Sequence, residues 1–297
     1  MNNDKTDRQK ILQAGKIASE AREYARLIIK KDMPLLEIAE KIEDKIIKLG
    51  GKPAFPVNLS INDIAAHYTP TNEDKTLASG LLKIDLGVHI DGWVADTAFS
   101  LDLENNNENK KLIQASEKAL EEAVKITKKQ ITASKIGAKI NKAIASFGFS
   151  PIINLSGHEI KQHDLHAGIT IPNIDDNKNI ELGKGLYAIE PFATTGGGKV
   201  YDGKPSGIYK LISPKGVRSP IAREVLELIE EEYETLPFCS RWIVKKLGTK
   251  TLFGLKQLED NGNIHHFQQL VESSHNKVSQ AEHTILIDDK EVIVTTK

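Results

Sequence analysis

Apolar positions near the start of the chain recur at helical spacing. Ile11, Ala14, Ala18, Ala21, Ala25 and Ile28 form one stripe, which predicts a helix opened by a capping box between Thr6 and Gln9. A second helix is expected after Asp32, with Pro34 in its first turn and Gly50-Gly51 as its stop. Residues 52–70 are rich in turn formers and read as a loop. Residues 81–86 and 93–101 read as strands, and Asp91-Gly92 between them is a strong hairpin signal. Helical periodicity returns over about 110–129 and 134–147, after which PIINLSG, GLYAIEPFAT and HTILIDDKEVIVTT read as short strands. Before the last of these, TTGGGKVYDGKPSG reads as a glycine-rich connection, and SPIAREVLELIEEEYETLPF, FCSRWIVKKLG and KTLFGLKQLEDNG read as helices. A helical block inside a strand-rich region predicts an insertion over 205–272, within a main domain formed by 1–204 and 273–297. The fold class is α/β, of the α+β kind.

Composition adds exclusions. With 297 residues and 39% hydrophobic content, the chain can bury one large domain with a small insert. Basic and acidic residues number 40 and 41 and are interspersed, so no global field favours nucleic acid or anionic lipid. The single cysteine, Cys239, excludes an intrachain disulfide and a Cys-based zinc site, and suits a reducing compartment. The N-terminus MNNDKTDRQK lacks a signal-peptide core, and no stretch approaches the ~20 apolar residues of a membrane span. A soluble cytoplasmic monomer without membrane contact is expected. Lys199 follows three glycines but precedes Val200 rather than Ser or Thr, so a phosphate loop is not indicated.

Candidate chemistry lies in five residues, each in a short apolar or glycine-flanked context: Asp85 in KIDLG, Asp96 in VADTA, His158 in LSGHE, Glu190 in AIEPF and Glu282 in QAEHT. Folding the hairpin about Asp91-Gly92 sets Asp85 opposite Ala98 and makes Asp96 its diagonal neighbour on the same face, within ~8 Å. Carboxylates on an apolar face are costly unless a cation joins them, and four collected without one would repel each other. Four carboxylates and one imidazole balance the charge of two divalent cations. His163 and His166 share the stretch GHEIKQHDLHAG with His158, and no role is assigned to His163.

The segments AAHYTP, KIDLGVHIDGWVADTAF, GH followed by LHAG, IEPF and AEHTILI together resemble a methionine aminopeptidase, over nearly the whole chain. The wide gap between Glu190 and Glu282 is similar to the type 2 subfamily, and the short N-terminal stretch looks more like archaeal members. The resemblance implies a pita-bread fold carrying a winged-helix-like helical insert. It implies that Asp85 chelates one metal, that Asp96 and Glu282 bridge two, and that His158 and Glu190 complete the other. Cobalt, manganese, Fe(II) and zinc all suit such donors. A bridging hydroxide would attack the first peptide carbonyl. Glu190 would shuttle its proton, His166 would bond the carbonyl oxygen, and His67 would line the site beside the substrate's first residue. Phe55, Leu165, Ile208 and Phe267 resemble the methionine pocket wall. The implied reaction removes methionine from nascent polypeptide N-termini before a small second residue, with possible ribosome association.

The chain departs from the pattern in places. Ser156 stands where some members have asparagine, Gln268 and Gln269 stand where prolines are common, and Phe267 where tyrosine is common. Two rival readings share the fold. A proline-specific dipeptidase usually carries a substantial domain ahead of the catalytic half, and here about 60 residues precede AAHYTP. A nucleic-acid or ribosome adaptor that has lost its ligands fits poorly, because all five ligands are present and EVLELIEEEYE makes the insert locally acidic.

Overall fold

The computed structural model describes residues 2–297, with side chains from Lys5 onward. The first stripe folds as α1 (Asn2–Ile28). Thr6 and Gln9 lie inside this helix rather than at its start, because nothing in the polar stretch before Ile11 breaks a helix. Helix α2 (Leu35–Lys48) starts after Pro34, its N-cap residue. Its end is closed by Gly50 at φ +86° and a bond from Gly51 N to Ile46 O of 3.1 Å.

The expected loop that follows contains β1 (Lys52–Ile61) and β2 (Ile64–Ala66). Pro53 and Pro56 disguised it. They are tolerated because β1 is an edge strand whose pairing slips between Pro53 and Asn58. Strands β3 (Leu81–Ile90) and β4 (Trp93–Asp102) form the hairpin, with Ile90 opposite Trp93 and Asp85 opposite Ala98, the register that the turn dictates. Both turn residues have positive φ, +50° at Asp91 and +78° at Gly92. On the sheet β1-β3-β4, helices α1 and α2 bury Ala14, Ile17, Ala18, Ile38 and Ile42 against Ile84, Leu86, Val88 and Phe99.

A second layer of the same kind follows. Helix α3 (Asn107–Ile126) is capped by the Asn106 side chain, which accepts from the backbone of Glu108 and Asn109. With α4 (Ala133–Ser146) it covers strands from the rest of the chain. These are β5 (Ser150–Pro151), β6 (Ser156–Ile160), β7 (Thr170–Pro172), β8 (Gly185–Ile189) and β9 (Phe192–Thr194). The glycine-rich stretch is not a simple connection, since half of it belongs to the long strand β10 (Val200–Leu211). Next come α5 (Pro220–Glu232), β11 (Phe238–Cys239), α6 (Ser240–Leu247), α7 (Thr251–Asp260) and β12 (Ile264–Glu272). The chain closes with β13 (Val278–Gln280), β14 (His283–Ile287) and β15 (Val292–Val294).

The sheet β15-β14-β8-β6-β7 lies under α3 and α4, with Leu112, Ile136, Ile140, Tyr187, Ile189 and Ile285 at the contact. A small sheet β13-β9-β5 stands beside it, and β11-β10-β12-β2 forms the last. Two helices over an antiparallel sheet therefore occur twice. The residues singled out above sit where the two layers face each other.

Candidate metal centre

Asp85 is on β3, Asp96 on β4 and His158 on β6, while Glu190 follows β8 and Glu282 precedes β14. All five line one cavity of about 250 Å³, together with His67, His166, Phe55, Leu165, Ile208 and Phe267. Every site residue named from the sequence thus reaches the same space. Ligand atoms of Asp96, His158 and Glu282 lie within 4.8 Å of one another. His158 Nε2 is 3.7 Å from both Asp96 Oδ2 and Glu190 Oε1, too long for hydrogen bonds.

The donor set fits divalent cations. Asp85 Oδ1, Asp96 Oδ1 and Glu282 Oε2 are buried without a hydrogen-bond partner among the described residues, a state that is costly for a carboxylate unless it ligates an ion. Asp96 and Glu282 are 4% and 1% exposed, which makes them core residues rather than surface acids. Burial pushes the Asp85 carboxyl up to about 6, against the hydrogen bond that Gln280 gives it. Burial, then the charge of the neighbouring carboxylates, holds Asp96 and Glu282 well above the usual range, and burial with the charge of Asp85 does so for Glu190. Burial also lowers His158 to about 4, which keeps the imidazole in the neutral form a metal ligand needs. Hard oxygen donors with one nitrogen suit manganese, iron, cobalt or zinc.

Two histidines stand beside this cluster. The ring of His166 meets that of His158 edge to face, with centroids 4.3 Å apart. Burial holds His166 well below its ordinary value, so it is a neutral donor. His67 has φ +62°, an uncommon conformation for a side-chain-bearing residue, and its Nδ1 lies 3.2 Å from Gln268 O. That bond places the proton on Nδ1 and leaves Nε2 an acceptor.

Sequence reading missed the groups that hold the candidate ligands in place. Strands β4 and β14 belong to different sheets, and side-chain hydroxyls join them. Thr284 Oγ1 accepts from Asp96 N at 2.7 Å and donates to Asp96 O at 2.8 Å. Thr97 Oγ1 donates to Glu282 O at 3.0 Å, and Glu282 N donates to Ala98 O at 3.0 Å. Ser100 Oγ likewise donates to Gln280 O, while Gln280 Nε2 reaches Asp85 Oδ2 at 3.2 Å. Behind them the guanidinium of Arg22 bonds Thr97 Oγ1 at 3.1 Å and Thr296 O at 2.6 Å. Asn58, opposite Asp85 on β1, lines the cavity as well. His163 lies outside it, on a loop where its Nδ1 faces Glu234 at 3.2 Å.

Residues 9–231 match metallopeptidase family M24. The chain is 46% identical to a methionine aminopeptidase of Pyrococcus abyssi over 297 residues, which is 98% of this chain and all of that one. Among solved structures, it superposes on methionine aminopeptidase from Thermotoga maritima with TM-score 0.71 at 21% identity, covering 98% of this chain and 97% of that one. A thermophilic Arx1 superposes with TM-score 0.82 at 15% identity, over 97% and 90% of the two chains. The structural neighbours establish the shared pita-bread α/β fold.

Proposed function

Because the chain belongs to metallopeptidase family M24, within its methionine aminopeptidases, we propose that its acidic cavity removes the N-terminal methionine from newly made polypeptides, preferring a small second residue. The carrying observation is the convergence of five potential ligands and two neutral histidines on one cavity with an apolar side.

Two divalent cations would be held there, one chelated by Asp85, the other by His158 and Glu190, with Asp96 and Glu282 shared between them. Bound, they would supply a water that ionises near neutral pH and a positive field for the developing oxyanion. Glu190, beside the ion site, would hold a proton in transit and pass it to the leaving amine. His166 donates a hydrogen bond to the carbonyl oxygen as its charge grows. His67 accepts from the substrate backbone through Nε2, its ring fixed by the Gln268 carbonyl. Phe55, Leu165, Ile208 and Phe267 receive the methionine side chain, an unbranched apolar chain suited to such a wall.

Residues 205–272 act as an insert on the catalytic unit formed by 1–204 and 273–297. Tyr209, Val225, Ile229, Phe238, Ile243, Leu255 and Leu258 form a core within the insert, which supports this division. The natural substrate is a nascent chain end, which places the enzyme's work near the ribosome. No helix of the described residues is long and apolar enough to cross a membrane.

The test uses protein stripped with a chelator and reloaded with manganese, Fe(II), cobalt or zinc. Metal-dependent release of methionine from Met-Ala-Ser is expected, with no cleavage of Xaa-Pro dipeptides. The opposite pattern would overturn the assignment in favour of a proline-specific dipeptidase.

A further inference from the structure

Strands β10 and β12 pair with Pro205 opposite Gln268 and Tyr209 opposite His266. Between these points Ser206, Gly207 and Ile208 on one strand face Phe267 alone on the other. Extra residues on one strand make a bulge, and a bulge leaves ladder groups without their usual partners. Three of those groups have a substitute here. Ser206 Oγ accepts from Ile208 N at 3.0 Å and donates to Phe267 O at 2.8 Å. Gly207, at φ +77°, donates its N–H to His266 Nε2 at 3.1 Å.

The last bond fixes the state of His266. A ring nitrogen that accepts must be deprotonated, so the proton sits on Nδ1, and Nδ1 faces Glu259 Oε1 at 3.3 Å. Glu259 belongs to α7, in the helical insert. Burial lowers the proton affinity of His266, as do His265 and Lys256, while Glu259 raises it; the net direction is downward and the ring is neutral. The ring is held flat against Tyr209, with centroids 4.1 Å apart and planes 24° from parallel.

What the bulge positions is the cavity wall. Ile208 and Phe267, the residues on either side of it, both line the cavity that contains the five ligands. The Phe267 ring also meets that of His67 edge to face, with centroids 5.6 Å apart, and its neighbour Gln268 supplies the carbonyl that orients His67. We infer that the Glu259–His266 pair is a positioning device through which the helical insert sets the wall of the methionine cavity. The chain of contact runs from α7 to Glu259, to His266, to the Gly207 N–H, and so to Ile208. The inference rests on the proposed reading of Ile208 and Phe267 as pocket walls.

The test is a KM-against-kcat comparison on Met-Ala-Ser and Leu-Ala-Ser with the metal-loaded full chain. Metal affinity is measured in parallel by calorimetry. His266→Leu removes the acceptor for Gly207, and Glu259→Leu removes the partner that holds the tautomer. Either is expected to raise KM for Met-Ala-Ser about five- to tenfold, the weight of one hydrogen bond. Preference for methionine over leucine falls, while kcat stays within about twofold and metal affinity is unchanged. His266→Gln, whose amide oxygen can accept from Gly207, is expected to restore most of the KM. Glu259 is partly exposed, so its variant keeps the test alive if His266→Leu does not fold. Ile208→Ala separates the two layers of the argument. If it leaves KM and preference unchanged, the pocket reading fails and the inference falls with it. If it raises KM while the His266 and Glu259 variants do not, the inference alone is wrong. Equal losses in kcat and metal affinity would show general loosening and would also overturn it.

Discussion

Replacing Asp85 by asparagine separates the stability of this fold from its metal chemistry. Burial raises the Asp85 carboxyl from 3.8 to about 6, so the ionised form is disfavoured in the folded protein relative to the unfolded chain. A raised carboxyl pKa costs nothing below about pH 4, where both states are protonated, and its full penalty is present above the folded value. At ~1.36 kcal/mol per pH unit the penalty is roughly 3 kcal/mol at pH 8. Asp85→Asn keeps the shape and the oxygen that accepts from Gln280, and never ionises. In chelator, urea denaturation is therefore expected to show the variant equal to wild type near pH 4 and about 3 kcal/mol more stable at pH 8. The neighbouring carboxyls titrate with Asp85, so the midpoint of that gain belongs to the whole set. Manganese at a thousandfold excess over its Kd stabilises wild type by about 4 kcal/mol, enough to reverse the order. On the proposed assignment of Asp85 as a ligand, the variant is expected to gain little. A variant destabilised equally at pH 4 and pH 8 in chelator would refute the reasoning.

Three other outcomes are expected. His166→Ala lowers kcat on Met-Ala-Ser by roughly two to three orders of magnitude and leaves calorimetric metal binding intact. Thr284→Val leaves the buried N–H and C=O of Asp96 without their shared hydroxyl. It should cost about 2–4 kcal/mol in urea and weaken metal binding about 10- to 100-fold, with Thr284→Ser close to wild type. Arg241 makes a bidentate pair with Glu43 at 2.7 and 2.8 Å, and Arg241 is 1% exposed. Arg241→Met should lose about 3–5 kcal/mol by stranding the Glu43 carboxylate, and adding Glu43→Gln should return part of it.

What the sequence made legible is local chemistry in a distinctive frame. An aspartate between Ile84 and Leu86, or a glutamate between Ile189 and Pro191, signals itself because an ionised group is expensive among apolar neighbours. The β3–β4 register also followed from the turn, because two residues with positive φ fix how the strands meet. Thr97, Ser100 and Thr284 gave no such signal. Hydroxyls are ordinary in strands, and these acquire a role only when two sheets bring residues 97 and 282 together. Strand β1 was hidden by its prolines, which an edge position tolerates. The bulge at Gly207 was equally invisible, since the long glycine-rich stretch gives no sign of which glycine pairs and which turns.

The linkage of Arg22 to Thr296, with Ser19 reaching Lys297 O at 3.0 Å, ties the opening helix to the closing residues. Asp96 and Glu282 are brought together across that same seam. Contacts of such long sequence separation form late, because their loop entropy has to be overcome first. During synthesis, residues 1–270 can assemble helices and hairpins but hold no finished ion site. Such a fragment lacks Glu282, one of the five candidate ligands that line the cavity.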